Sequence, residues 1–266
     1  MLSINRLGNL GRLANQMFQY ASIKGIASNR GYSFSIPPKD AFGAQDELVS
    51  QSDVTIYDVF ENVGNNIIGF QKNQTLWERM HHFDEELFVN CPDNVDLVGY
   101  FQTEKYFKHI EDEIREDFTF SKETETCKEL YDSIIGDKES ISLHIRRGDY
   151  TVNPNHPTQS IEYYEKALSK FDAKIPVIVF SDDPSWCHQQ ELFSDDRFMI
   201  SDENTTEFDL CLMSLCTYHI IANSSFSWWG AWLAKSKKII APKNWFSAEC
   251  SNKSIQDVPF GDFTFL

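Results

Sequence analysis

Positive charge is scarce in this chain. Of 266 residues only 24 are Lys or Arg, against 40 Asp or Glu, and the formal net charge is −16. That excludes a partner gripped through many phosphates, because nucleic-acid affinity rests on basic side chains neutralising them. An anionic membrane surface is disfavoured for the same reason. No apolar run approaches the ~20 residues of a membrane span, and "MLSINRLGNLGRLANQ" has no apolar core of the kind a secretory signal carries. The expectation is a cytoplasmic chain with no transmembrane segment. No C-x-x-C pair occurs, and the six cysteines (Cys91, Cys127, Cys187, Cys211, Cys216 and Cys250) are expected as buried free thiols. No G-x-G-x-x-G follows a strand, there is no Walker loop, and no elbow glycines frame a serine, which argues against dehydrogenases, kinases and serine hydrolases. There is no D-x-D triplet, the carboxylate pair with which many sugar transferases hold a divalent ion. Neither a metal site nor a bound cofactor is expected.

What is present is a regular alternation in the second half. "SISLHI", "VIVFSDD", "FMIS", "IIAN" and "KKIIAP" read as strands; "SIEYYEKALSKF", "PSWCHQQEL", "EFDLCLMSLCTYH" and "SFSWWGAWLAK" read as helices between them. Alternating strands and helices with short linkers imply a parallel sheet wrapped by helices. The first half is less legible. A helix over "LANQMFQYASIKGIASNRG" stops at Gly31, "YSFSI" and "VDLVGYF" are strands, and "TEKYFKHIEDEIREDF" is an amphipathic helix with a Thr cap. Residues 39–94 show weak periodicity and read as loops and short elements. The boundary falls within 120–135, giving an N-terminal α/β domain over 1–125 and a C-terminal one over 126–266.

Polar clusters close the strands of the second half, and ligands of parallel sheets bind at carboxyl strand ends. "HIRRGDY" (144–150) places Arg146 and Arg147 just past an apolar strand. "FSDD" places Asp182 and Asp183 past the next, to cap the following helix or touch a ligand. "NSSFS" places Ser224, Ser225 and Ser227 where a helix begins: a cap, or an anion site supplied by free N–H groups and the positive dipole end. An arginine pair with a helix N-terminus makes a pyrophosphate-sized site. Asp209 opens an apolar helix, where it either complements the dipole or accepts the paired N1–H and N2–H₂ donors of a guanine. Trp228, Trp229 and Trp232 read as core.

Five blocks, "GRLANQMFQYA" (11–21), "GYFQTEKYF" (99–107), "HIRRGDY" (144–150), "FSDDPSWC" (180–187) and "NSSFSWWGAWLA" (223–234), together resemble glycosyltransferase family 11, the GDP-fucose-dependent α-1,2-fucosyltransferases. The resemblance spans residues 11 to 234. It implies a GT-B-type fold of two facing Rossmann-like domains, the donor held mainly by the second and the acceptor mainly by the first. It also implies an inverting reaction without an essential metal, GDP-L-fucose as co-substrate and an oligosaccharide or glycan acceptor.

Carried onto this sequence, the resemblance gives Arg146 the β-phosphate of the donor, where negative charge develops as fucose leaves. It gives His144 and Arg147 places beside the nucleotide, Asp209 the guanine, and Ser225, next to Ser224, the phosphate. Asp182 is expected among the donor contacts, and Asn15 and Gln16 are expected at the donor and acceptor. Asp149 and His156 are the candidate bases. The first block departs from the family's usual "GGLGNQMFQYA": Arg12 and Ala14 stand where two glycines are common. Ala adopts a positive φ less cheaply than Gly, so this loop is expected to approach the pyrophosphate differently. The function expected is fucosyl transfer to the 2-hydroxyl of a galactose. The alternatives are a GDP-fucose transferase of another linkage or protein acceptor, or a binding protein that holds a nucleotide sugar or glycan without turnover.

Overall fold

Two sheets organise the chain, and every strand pairing in both is parallel. The computed structural model describes residues 1–41, 54–63, 67–121, 126–202, 205–250 and 253–266. The chain forms two compact units, residues 1–121 with 253–258, and residues 122–252 with 259–266. The expected boundary at residue 125 lies outside the described residues, as do parts of the weakly periodic stretch 39–94.

In the first unit, β1 (Leu2–Ser3), β2 (Phe34–Ile36), β3 (Ile67–Ile68), β4 (Gln74–Trp77) and β5 (Val95–Val98) lie in the order β3-β2-β1-β5-β4. The helix Leu13–Arg30 links β1 to β2 and buries Leu13, Met17, Tyr20, Ile23 and Ala27. It ends where the sequence indicates: Gly31 takes φ 67 and its N–H bonds back to the last turn. The expected helix over 103–118 is interrupted. Thr103 caps a 3₁₀ turn over Glu104–Tyr106, a second turn follows at Lys108–Ile110, and the α-helix runs only over Glu111–Asp117. Phe107, at φ −129, breaks the run; its ring is fully buried 6.4 Å from that of Phe18. Core packing here overrides helix periodicity.

In the second unit, β6 (Ile141–Ile145), β7 (Val177–Ser181), β8 (Phe198–Ile200), β9 (Tyr218–Ile220), β10 (Ile239–Ala241) and β11 (Phe263–Phe265) lie in the order β11-β10-β9-β6-β7-β8. Ile141, Leu143 and Ile145 pack in one cluster with Tyr164 and Ala167 of the helix Ile161–Leu168. The three indoles are core: Trp228, Trp229 and Trp232 are buried and meet edge to face at 5.0 and 5.1 Å.

Three expectations are corrected. The helix expected to run through His219 ends at Leu215, because Tyr218 and Ile220 are needed to pair with Ile141 and Leu143. The alternating "ESISLH" is expected to form a half-buried strand, yet β6 has no solvated face: Ser142 and His144 are 1% and 4% exposed, so its polar positions are buried as fully as its apolar ones. The six thiols are not all free. Cys127 and Cys211 form a disulfide joining the helices Cys127–Ile134 and Thr206–Leu215, while Cys91, Cys187, Cys216 and Cys250 are free and buried. No helix among the described residues is long and apolar enough to cross a membrane.

Candidate active site

The strand order of the second unit fixes where a ligand can sit. From β6 the chain moves outward to β7 and β8, then returns to β9 on the other side of β6. The loops leaving β6 and β9 therefore diverge, and the crevice between such loops is where open parallel sheets bind ligands. "HIRRGDY" leaves β6 and "NSSFS" leaves β9. Tyr150 bridges the two loops, its hydroxyl donating to the Asn223 carbonyl at 3.2 Å.

Both arginines are held from the β7 edge. Arg146 pairs through Nη1 with Asp182 at 3.0 Å and through Nη2 with Asp149, and its guanidinium lies 5.4 Å from the Tyr150 ring centre. Arg147 pairs with Asp183 at 3.1 Å, lies 4.1 Å over the Trp186 ring, and donates its backbone N–H to Asp182 at 2.8 Å. Asp182 thus grips the loop twice. Gly148 lies so close that a Cβ there would sit 2.5 Å from an Asp182 oxygen. Asp183 also caps the next helix by accepting the Trp186 N–H at 3.1 Å. Asp149 is expected as a base but is engaged here as the ion-pair partner of Arg146. His156 stacks on Tyr150 at 5.1 Å and packs against Phe246 at 5.4 Å.

At the other loop, Ser224 accepts the Phe226 N–H at 3.3 Å and is the cap of the helix Ser225–Leu233, which leaves Ser225 as its first residue. Asn223 is tied into the scaffold: its amide donates to the carbonyls of Pro157 and Trp245, and it accepts from Gln159.

His144, expected beside the nucleotide, is buried. It points from β6 into the interior and bonds through Nδ1 with Ser227 at 2.9 Å. Burial, with the nearby Arg146 charge second, drives its pKa down to about 3; burial drives that of His219 down to about 4. Both are therefore neutral when folded near pH 7, whereas the unfolded chain protonates them near 6.5. The unfolded state binds more protons below that value, so stability falls as pH drops from about 6.5, by at most about 1.4 kcal/mol per pH unit per histidine. Thermal melts between pH 7.5 and 5 are expected to show this slope, and His144→Gln, which keeps a partner for Ser227, is expected to flatten it. Equal slopes for the two proteins would contradict the buried neutral assignment.

Asp209 lies in the first turns of the helix Thr206–Leu215 and accepts the Ser201 hydroxyl at 2.6 Å. Ser201 is the first residue past β8, so Asp209 is anchored at the same sheet edge as Arg146, two strands away.

The first unit has its own switch point, between β1 and β5. Gly11 takes φ +85, and a Cβ there would lie 2.0 Å from the Asn15 amide nitrogen, so this turn requires glycine. Asn15 accepts from Gln102 at 2.7 Å, which joins the first turn of the helix Leu13–Arg30 to the loop after β5. Ala14 is helical, in the first turn of Leu13–Arg30. The position therefore does not require a positive φ, and its substitution does not deform the loop. Gln16, expected at the donor and acceptor, is fully buried, accepts the Ile56 N–H at 3.1 Å and donates to the Val54 carbonyl at 3.5 Å.

Glu78, Tyr150, Trp186 and Gln102 are the organising residues that sequence reading passed over. Glu78 follows β4 and accepts the N–H groups of Tyr100 and Phe101 at 2.8 and 3.0 Å; burial pushes its carboxyl up to about 7 despite these bonds. The only sequence signal for them is position, just past a strand end or inside a shared block.

The sequence profile of the family described as glycosyl transferase family 11 matches residues 3–259. The chain belongs to glycosyl transferase family 11. An α-1,2-colitosyltransferase of Escherichia coli is 31% identical over 90% of this chain and 91% of its own length. Galactoside α-(1,2)-fucosyltransferase 2 of Bos taurus is 26% identical over 98% of this chain and 74% of its own. In structure, this family 11 chain is similar to a NodZ α-1,6-fucosyltransferase soaked with GDP-fucose, with a TM-score of 0.53 at 15% identity, covering 91% of this chain and 95% of that one. The fold is thus the α/β, GT-B type of these transferases.

Proposed function

We propose that this glycosyltransferase is an inverting α-1,2-fucosyltransferase that moves L-fucose from GDP-L-fucose to the 2-hydroxyl of a galactose-containing glycan. The observation that carries the reading is Arg146, held by two carboxylates at the switch point of the second sheet beside the N-terminus of Ser225–Leu233. A diphosphate placed there meets a guanidinium and the positive dipole end of a helix. When the fucosyl C1–O bond breaks, the electron pair stays on the β-phosphate, and Arg146 stabilises that charge. The acceptor oxygen bonds to C1 from the opposite face, and its proton passes to solvent or to a carboxylate. Asp209, two strand spacings of ~4.8 Å from Arg146 along the sheet edge, is set apart as a base is from its diphosphate, and reads guanine. The names of the relatives supply the α-1,2 linkage. The reading places the enzyme in the cytoplasm; four free buried thiols support that placement and the Cys127–Cys211 disulfide counts against it.

The colitosyltransferase relative favours a second reading, in which the sugar transferred is colitose. Release of GDP should be followed with lactose present and GDP-fucose, GDP-colitose or GDP-mannose as donor. Fucose is expected to give the highest kcat/KM. Preference for GDP-colitose would select the second reading, and turnover of neither would reject both.

The positive charge in this mechanism comes from Arg146 and Arg147. Turnover of GDP-fucose is therefore expected to persist in excess EDTA. Complete loss in EDTA, restored by Mn²⁺ or Mg²⁺, would refute the metal-free proposal.

A further inference from the structure

The exposed aromatic side chains of the first unit are not scattered. Phe70 is 40% exposed, Trp77 55% and Tyr100 37%. Each lies at the carboxyl end of a strand: Phe70 two residues past β3, Trp77 at the last position of β4, Tyr100 two residues past β5. The other large exposed apolar side chains among the described residues are aliphatic: Val89, Leu130, Ile134 and Val152. Because β4 and β5 are neighbours with Trp77 opposite Val98, Trp77 and Tyr100 share one corner of the sheet edge.

That corner is built rather than loose. The Arg6 guanidinium lies 5.2 Å from the Trp77 ring centre. Next to Arg6, Asn5 exchanges two hydrogen bonds with the backbone of Gln71, at 2.8 and 3.1 Å, and its N–H donates to Asp96 at 2.8 Å. Glu78 fixes the Tyr100 and Phe101 backbone through both carboxylate oxygens, and Phe101 is held at φ 51, a conformation a bulky residue seldom adopts. None of this fills the core, since the indole stays in water. An indole paired with a guanidinium, beside a phenol, offers an apolar face and planar donors at one spot. A pyranose ring is complementary to it: its C–H face lies on an aromatic ring while its hydroxyls accept from a guanidinium.

We propose that Arg6, Trp77 and Tyr100 form a carbohydrate subsite that seats a sugar of the acceptor glycan other than the galactose that reacts. The proposal rests on the reading that the acceptor is a glycan, and it sets acceptor preference: oligosaccharides that offer this subsite a further sugar are favoured over a disaccharide. A neutral sugar suits the corner better than an acidic one, because Asp96 already interacts with the Arg6 charge.

The test uses the full chain and two arms. In the first, iodide quenching of tryptophan fluorescence is measured with and without a galactose-terminated tetrasaccharide, in wild type and Trp77→Phe. Sugar is expected to protect the exposed indole of the wild type, and the protection is expected to vanish in the variant. Absence of protection by the tetrasaccharide overturns the proposal; so does protection that follows protein concentration rather than sugar, which would make the rim a contact between copies. In the second arm, Trp77→Ala and Arg6→Ala are expected to raise KM for the tetrasaccharide about tenfold with kcat within twofold and unchanged melting temperature. A KM within twofold of wild type overturns the proposal. If the wild type turns over no GDP-fucose, the transfer reading fails on its own, and the quenching arm still decides the subsite.

Discussion

Arg146→Ala is expected to lower kcat by about 10²–10³, the scale of losing one strong transition-state donor. The argument is geometric. Arg146 stands at the carboxyl end of β6, and Asp182 and Asp149 hold its two terminal nitrogens, so the guanidinium plane is set before any ligand arrives. Arg146→Lys is expected to recover little, because an ammonium offers one compact charge where the site is built around a planar fork. The loss should fall on kcat more than on KM for GDP-fucose, since charge on the β-phosphate grows as the bond breaks. Removing Arg146 also leaves Asp149 and Asp182 without their shared counter-charge. A thermal melt must accompany the kinetics, and Arg146→Gln serves as a variant that keeps hydrogen-bond donors for both carboxylates. Near-normal turnover in the Lys variant would remove Arg146 from the role.

Asp209→Asn is expected to weaken GDP binding by about 1–3 kcal/mol, roughly five- to 150-fold, the scale of a charged hydrogen bond lost and mismatched. One Asp209 oxygen accepts the Ser201 hydroxyl. In the variant the amide oxygen keeps that bond, and the NH₂ then stands where guanine presents donors of its own. The fold should survive, because the dipole contribution at stake is only ~0.3–1 kcal/mol. Calorimetry of GDP binding, with ADP as control, is the measurement. Unchanged GDP affinity with a lowered melting temperature would make Asp209 a structural residue.

The second unit was largely legible because β6 and β7 have five residues each and helices such as Thr206–Leu215 and Ser225–Leu233 separate its shorter apolar strands. The parallel sheet and the polar strand ends followed directly. Contacts between those ends did not. That Asp182 grips both Arg146 and the Arg147 N–H depends on β6 and β7 being neighbours, which spacing along the chain does not specify. His144 shows a deeper limit. A polar residue at every second position reads the same whether that face meets water or a buried serine, and only the helix Ser225–Leu233 lying over β6 decides it. In the first unit β1 and β3 have two residues each, too few for any periodicity, so of that sheet only β2 and β5 left a pattern to read. The Cys127–Cys211 bridge joins residues 84 apart and has no local signal at all. Ala14 erred the other way: the motif suggested a strained glycine site, and the backbone places the strain at Gly11.

The central claim is transfer of fucose to O2 of a galactose, and the linkage of the product tests it most directly. The protein should be incubated with GDP-fucose and lactose, the trisaccharide isolated, and its linkage read by nuclear magnetic resonance. The account predicts a single α-fucosyl residue on O2 of the galactose. A fucose on any other hydroxyl, or free fucose with unmodified lactose, would contradict it.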